Sequence, residues 1–248
     1  MSASSGTIDP IRLYFGDDYH LTDQITIHQP KLGDVIDIGE EQYFHVVQML
    51  TAIPSDMKAP LWDVGIDWMD FSDIEMFAVM ASQLDVEETR IFFGDLDLKN
   101  FKLYKRDDGE LILADVDTKI VFDKYSHARM LDFLCRIHNI KKKVEKAGNK
   151  YTKQALIEED RKRIAVQKNE HFKSQLVPII STMVNSPGFK YTNETIRDMT
   201  YYAFMDSVVR TQSNHSIEHL TAAYYSGNID TSKFDVKKLD MFCDIHKE

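Results

Sequence analysis

The residues of this chain best spaced to do chemistry are His215, Glu218 and His219, in the pattern His-x-x-Glu-His. Two histidines four apart share one helical face and can hold Zn²⁺, with a glutamate beside them as the base. Such a centre needs a third protein ligand, and the acids that follow are Asp230, Asp235, Asp240, Asp244 and Glu248. None falls on a clear partner helix, so the plain reading is an exposed first helical turn rich in polar side chains. A second pattern, Asp95-Leu-Asp97-Leu-Lys-Asn100, opens like a calcium loop. It lacks glycine at its sixth position and carries Arg106 where the twelfth-position glutamate should stand, so it reads as an acidic turn. Asp115 and Asp117 fit a solvated strand edge.

Cys135 falls on an apolar helical stripe, where a cysteine is usually a core residue rather than a nucleophile. His138 follows on the same stripe and reads as a hydrogen-bonded edge residue. No G-x-G-x-x-G, G-x-x-x-x-G-K-[ST] or G-x-S-x-G motif occurs. These patterns predict a non-enzymatic protein with no catalytic residue, cofactor or metal ion.

Charge offers one further lead. The chain carries 30 basic and 40 acidic residues, a net charge of −10, which gives it no bulk attraction for nucleic acid. From Arg136 to Lys173, however, 12 Lys/Arg stand against five Asp/Glu. Such a run either decorates a solvated helix or faces an acidic partner. Glu158–Lys162 and Glu159–Arg163 are acid-first pairs that stabilise an exposed helix by themselves. No Phe or Tyr platform alternates with the bases, as it does in RNA readers. The unbroken charges from Glu158 to Arg163 cover every side of a helix, which predicts a wet middle anchored through Leu156, Ile157, Ile164 and Val166. Arg161, Lys162 and Arg163 are therefore the candidate interaction residues.

The elements that position these residues can be read from periodicity. Ile11–Phe15 and Ile25–His28 read as two short strands able to pair as a hairpin. Ile36, Tyr43, Val46, Val47, Leu50 and Ile53 recur at helical spacing, predicting one amphipathic helix from about Leu32 to Ile53. Pro54 and Pro60 punctuate a segment holding Trp62, Trp68 and Phe71. Ser72 or Asp73 can cap a helix through Ile74, Phe77 and Ala81, and a short helix runs from Asp85 to Phe93 before Gly94. Phe101–Tyr104 and Leu111–Leu113 form a hairpin about Asp108-Gly109, with Lys119–Phe122 as a third strand. Helices then follow over Tyr125–Ile137, Tyr151–Lys168 and Gln175–Val184. Another runs from an Asn193 cap to about Val209, apolar nearly all round and thus buried, and a last one over Ile217–Tyr225. The fold class is α+β. Residues 1–140 form an N-terminal region of helices and small antiparallel β elements, and residues 141–248 an all-helical C-terminal region.

Composition bounds the setting. A hydrophobic fraction of 43% supports a sizeable core, and two cysteines suit a reducing compartment. The polar start from Met1 to Asp9 lacks a basic residue followed by an apolar run, and no apolar stretch reaches the roughly 18 residues of a membrane span. A cytoplasmic protein without a membrane partner is expected.

Several stretches resemble a known family. They include Leu13-Tyr-Phe-Gly-Asp-Asp-Tyr19, Ile27-His-Gln-Pro30 and Gly39-Glu-Glu-Gln-Tyr43. Further matches are Leu50-Thr-Ala-Ile-Pro-Ser-Asp-Met-Lys58, Leu61-Trp-Asp-Val-Gly-Ile-Asp67, Lys143-Val-Glu-Lys-Ala147 and Leu156-Ile-Glu-Glu-Asp-Arg-Lys162. Late ones are Met183-Val-Asn-Ser186, Ala203-Phe-Met-Asp-Ser-Val208 and Tyr225-Ser-Gly-Asn-Ile-Asp230. Together they are similar to tail-morphogenesis proteins encoded by phages of Gram-positive bacteria, most closely to tail assembly chaperones. The resemblance implies tail partners, the tape-measure or tail-tube protein, and residence in the infected host's cytoplasm. The stretches are landmarks rather than catalytic motifs, so no functional residue carries over. Two other readings are a stable component of the tail or baseplate, and a zinc-dependent hydrolase through His215 and His219.

Overall fold

The computed structural model of the chain describes residues 8–227, 235–243 and 245. It is an α+β protein with two small antiparallel sheets. The first departure from expectation comes at once, because Pro10–Phe15 is a helix, α1. Asp9 accepts the Ile11 N–H at 2.9 Å, and Pro10 fixes the first helical position, so the local capping outweighs the apolar run. Gly16 ends α1 at φ 79°, and a Cβ there would lie 2.6 Å from Thr200 Cγ2. The hairpin is made instead by β1 (Tyr19–His20) and β2 (Thr26–Ile27), with Tyr19 opposite Ile27.

The single helix expected over Leu32–Ile53 is two: α2 (Leu32–Ile38) and α3 (Glu40–Leu50). Gly39 separates them at φ 95°, ψ 132°, a conformation that breaks the helical ladder and strongly favours glycine. The break puts Ile36 on the surface, while Tyr43, Val46, Val47 and Leu50 stay on the buried face of α3. Next come α4 (Lys58–Asp63), α5 (Asp73–Ala81) and α6 (Val86–Phe93). The cap of α5 is the one expected: Ser72 accepts from Glu75 N, and Glu75 accepts the Ser72 N–H at 2.8 Å.

The second sheet has the order β3 (Lys102–Lys105), β4 (Leu111–Asp115), β5 (Ile120–Phe122), all antiparallel. Its buried side rests on α5, where Phe77 meets Phe122 edge-on at 5.4 Å. Asp115 is buried rather than solvated, because its carboxylate accepts from Thr118 Oγ1 at 2.6 Å and Asp117 N at 3.0 Å to close the turn into β5. Then α7 (Lys124–Ile137) buries Met130, Phe133, Leu134 and Ile137. Leu131 and Cys135 lie at the margin of that face.

The remaining helices are α8 (Lys150–Asn169), α9 (Leu176–Val184) and α10 (Tyr201–Tyr225). Asn193 does not cap the last of these. Thr195–Asp198 is a 3₁₀ turn, and Thr200 caps α10 by accepting from Ala203 N at 3.3 Å. The two helices expected before and after Ser213 are one continuous helix, because nothing between Val209 and Ile217 stops the backbone ladder. Phe204 and Val208 are buried on it, as its spacing predicts.

One hydrophobic cluster contains Leu176, Met183, Ile196, Tyr201, Phe204 and Val208 together with residues from Ile8 to Ile137. Polar ties cross the same boundary. Leu32 N donates to Met199 O, Tyr201 N donates to Pro30 O at 2.8 Å, and Arg197 pairs with Asp37. Glu40 of α3 accepts from Gln175 N at 2.7 Å and Leu176 N at 3.1 Å, so it caps α9, whose own N-cap residue makes no side-chain cap.

Candidate interaction surface

The basic run finds acidic partners within its own chain. Lys142 pairs with Asp56 at 2.7 Å, Lys153 with Asp67 and Arg161 with Asp63, while the run's own Glu145 takes Lys58 at 2.7 Å. Residues 142–164 thus lie across residues 55–69, where three of the run's bases meet acids. Glu145 is held below the usual carboxylate range by Lys143 and then Lys58. Asp67 is lowered by its hydrogen bond from Lys153.

The middle of α8 is therefore not wet all round. Ile157 and Asp160 are buried, 0% and 2% exposed. Asp160 is tolerated there because α4 needs it: its carboxylate accepts the Ala59 N–H at 2.9 Å in the first turn of α4, whose N-cap Met57 offers no side-chain oxygen. Arg163 closes the arrangement, donating to Asp160 Oδ1 and, at 2.7 Å, to Asp56 O. Sequence reasoning took an unbroken charged run to exclude burial, but a charge can be buried where an orphan helix N–H awaits an acceptor.

Of the three candidate residues, Arg161 and Arg163 are engaged within the chain, and Lys162 points to solvent. The apolar part of the seat is small and separate from the main core: Ala59, Leu61, Trp68 and Ile157, with Leu156 and Ala147 beside them. Trp68 Nε1 donates to Glu145 O at 3.0 Å. Lys153 Nζ stands 5.5 Å from the Trp68 ring centroid and 5.6 Å from that of Trp62, within cation–π range of both. Trp62 remains 41% exposed.

His215, Glu218 and His219 lie in the middle of α10 rather than in a first turn. His215 Nδ1 is 3.7 Å from Glu218, and both side chains are exposed. Among the described residues no group of three or more His, Cys, Asp or Glu side chains gathers as a metal site. Asp230, Asp244 and Glu248 lie outside the described residues. Asp97 caps a 3₁₀ turn at Leu98–Asn100, and Asp95 pairs with Arg90 at 3.2 Å, an acidic turn as read.

Burial pushes the Cys135 thiol up to about 11, so it is protonated and unreactive at neutral pH. His138 takes the hydrogen-bonded position expected, but its partners were not foreseen: Nδ1 lies 2.7 Å from Leu134 O and Nε2 2.6 Å from Tyr43 Oη. A second histidine escaped the sequence reading. His127 is buried against Phe77, ring centroids 4.9 Å apart, and its Nε2 meets no partner among the described residues. Its place at i−3 to Met130 and i−7 to Leu134 marks it as a stripe position.

The far end of the molecule is less covered. Along α10, only Ile217 is buried beyond Val208. Tyr225 is 81% exposed, and Phe242, in the described segment that Arg210 holds through Met241 O and Cys243 O, is 93% exposed.

Residues 167–240, which begin in the last turn of α8 and include α9 and α10, match the family model described as the YomV second domain. That family is phage-associated, and the match supports a phage-related protein. No curated protein matches the chain, and no solved structure does. No described helix is long and apolar enough to cross a membrane.

Proposed function

We propose that the chain is a non-enzymatic tail assembly chaperone of a phage, acting in the host cytoplasm by binding a tail protein such as the tape-measure or tail-tube protein. The observation that carries this reading is the match of residues 167–240 to a phage-associated domain. The similarity of the sequence landmarks to tail-morphogenesis proteins narrows it to tail assembly. Within the matched segment, exposed Tyr225 and Val236 are large apolar groups of the kind that partners cover. The reactive-residue patterns give no competing chemistry: His215 and His219 face solvent, and the Cys135 thiol is held protonated.

The test is purification of the tagged chain from infected cells, with mass spectrometry of the complex and of mature particles. A complex with the tape-measure or tail-tube protein, and absence from particles, is expected. Presence in particles at fixed stoichiometry would replace this reading with a structural tail or baseplate component. Stoichiometric zinc in the purified chain, lost in His219→Ala, would overturn the non-enzymatic assignment.

A further inference from the structure

The seat of α8 differs from the rest of the fold. Its apolar cluster is its own, with Ile157 the one fully enclosed apolar side chain that α8 supplies. Most of what holds it is charge: Lys153 on Asp67, Arg161 on Asp63, and Asp160 on the first turn of α4. Lys153, Ile157, Asp160, Arg161 and Ile164 fall on one side of the helix at i, i+4, i+7, i+8 and i+11, so α8 meets α4 along a single seam and leaves its other faces exposed. The chain entering α8 over 141–149 and leaving it over 170–175 has no helix or strand. A helix held by one enclosed apolar side chain and a few charged ties, of which Arg161–Asp63 is open to screening by salt, can leave from between irregular connectors without unpacking the core.

We propose that α8 is a releasable strap, and that the face of α4 and Trp68 beneath it is a docking groove for a basic amphipathic helix of a partner protein, with α8 as its resident occupant. The groove carries its own selection rule. Asp63 and Asp67 flank an apolar floor of Ala59, Leu61 and Trp68, so it takes a helix with one aliphatic anchor between basic residues four positions to either side, as Lys153, Ile157 and Arg161 show. A partner helix of that pattern competes with α8, and binding then waits on strap release. This stands apart from the tail-assembly reading, since the chain's own α8 serves as the probe.

Two measurements test it. Native-state hydrogen exchange on the wild-type chain is expected to show α8 opening while α3 and α7 stay protected, with opening more frequent at high salt. Protection of α8 as deep as that of α3 and α7 overturns the proposal. Second, a synthetic peptide of residues 150–169 is added to full-length Ile157→Asp, with the emission of the chain's two tryptophans as readout. The variant is expected to keep its cooperative melt and bind the peptide saturably, at least about tenfold more tightly than wild type, with affinity falling as salt rises. A peptide carrying the same Ile157→Asp change is expected not to bind. Loss of the variant's cooperative fold, or a folded variant that ignores the peptide, overturns the groove.

Discussion

Tyr43 of α3 donates its hydroxyl to His138 Nε2 at 2.6 Å, while His138 Nδ1 donates to Leu134 O at 2.7 Å. The two bonds fix one neutral tautomer of the imidazole at the end of α7. The Tyr201 ring of α10 packs 5.9 Å from Tyr43 and 5.4 Å from His138, so the pair ties three helices together. Tyr43→Phe leaves the imidazole nitrogen without its donor in an enclosed site. The expected cost is about 1–3 kcal/mol, read as a lower urea midpoint with an unchanged slope. A midpoint equal to wild type would mean that solvent reaches His138 and replaces the hydroxyl.

The same enclosure makes stability fall in mild acid. Burial lowers both His127 and His138 to about 4 from an ordinary 6.5. Between those values the unfolded chain binds protons that the folded chain refuses. Their contribution is therefore complete above about pH 6.5 and lost as pH falls toward 4. Each histidine accounts for on the order of 3 kcal/mol at the acid limit. Melting temperature is expected to drop steadily between about pH 7 and pH 5, and His127→Leu should flatten that slope. An unchanged slope in the variant would place the acid sensitivity elsewhere.

Phe204 is fully enclosed on α10 in the cluster that joins residues on both sides of position 140. Phe204→Ala is expected to cost about 3–5 kcal/mol and to melt the whole chain earlier in one transition. Two separated transitions in the variant would show that the helices after residue 140 unfold apart from the rest.

Much of this fold was legible in the sequence, and the failures are of two kinds, local signals misread and long-range partnerships that leave no local signal. The Ser72 cap, the Asp108-Gly109 hairpin and the Phe204–Val208 face follow from local rules, and each forms. Gly39 passed unnoticed inside a good helical period, and Asn193 was read as the cap that Thr200 supplies. Where a neighbour far away in sequence decides, local reading stopped short. Asp160 and Glu40 cap helices 101 and 135 residues away, α4 and α9, whose own N-cap residues make no side-chain cap. No periodicity announces such a partnership, so the docking of the basic run was invisible although its charge was plain.

That docking separates the three basic residues singled out in the sequence. Arg163 holds Asp160 in place, and Arg161 sits opposite Asp63, so reversing either charge sets carboxylates against each other at the α4 seam. Arg161→Glu with Arg163→Glu is expected to loosen α8 as well as any external contact, and partner capture by that variant cannot isolate the surface. Lys162 faces solvent. Lys162→Glu is expected to change stability by no more than about 0.5 kcal/mol. If the outer face of α8 meets an acidic partner, the same variant should capture less of it at low salt. Asp160→Ala is the complementary probe: it strands the Ala59 N–H and leaves Arg163 only Asp56 O, with an expected cost of about 1–3 kcal/mol. A stable Lys162→Glu that captures partner as wild type does, beside a destabilised Asp160→Ala, would assign the charge of α8 wholly to its seat on α4.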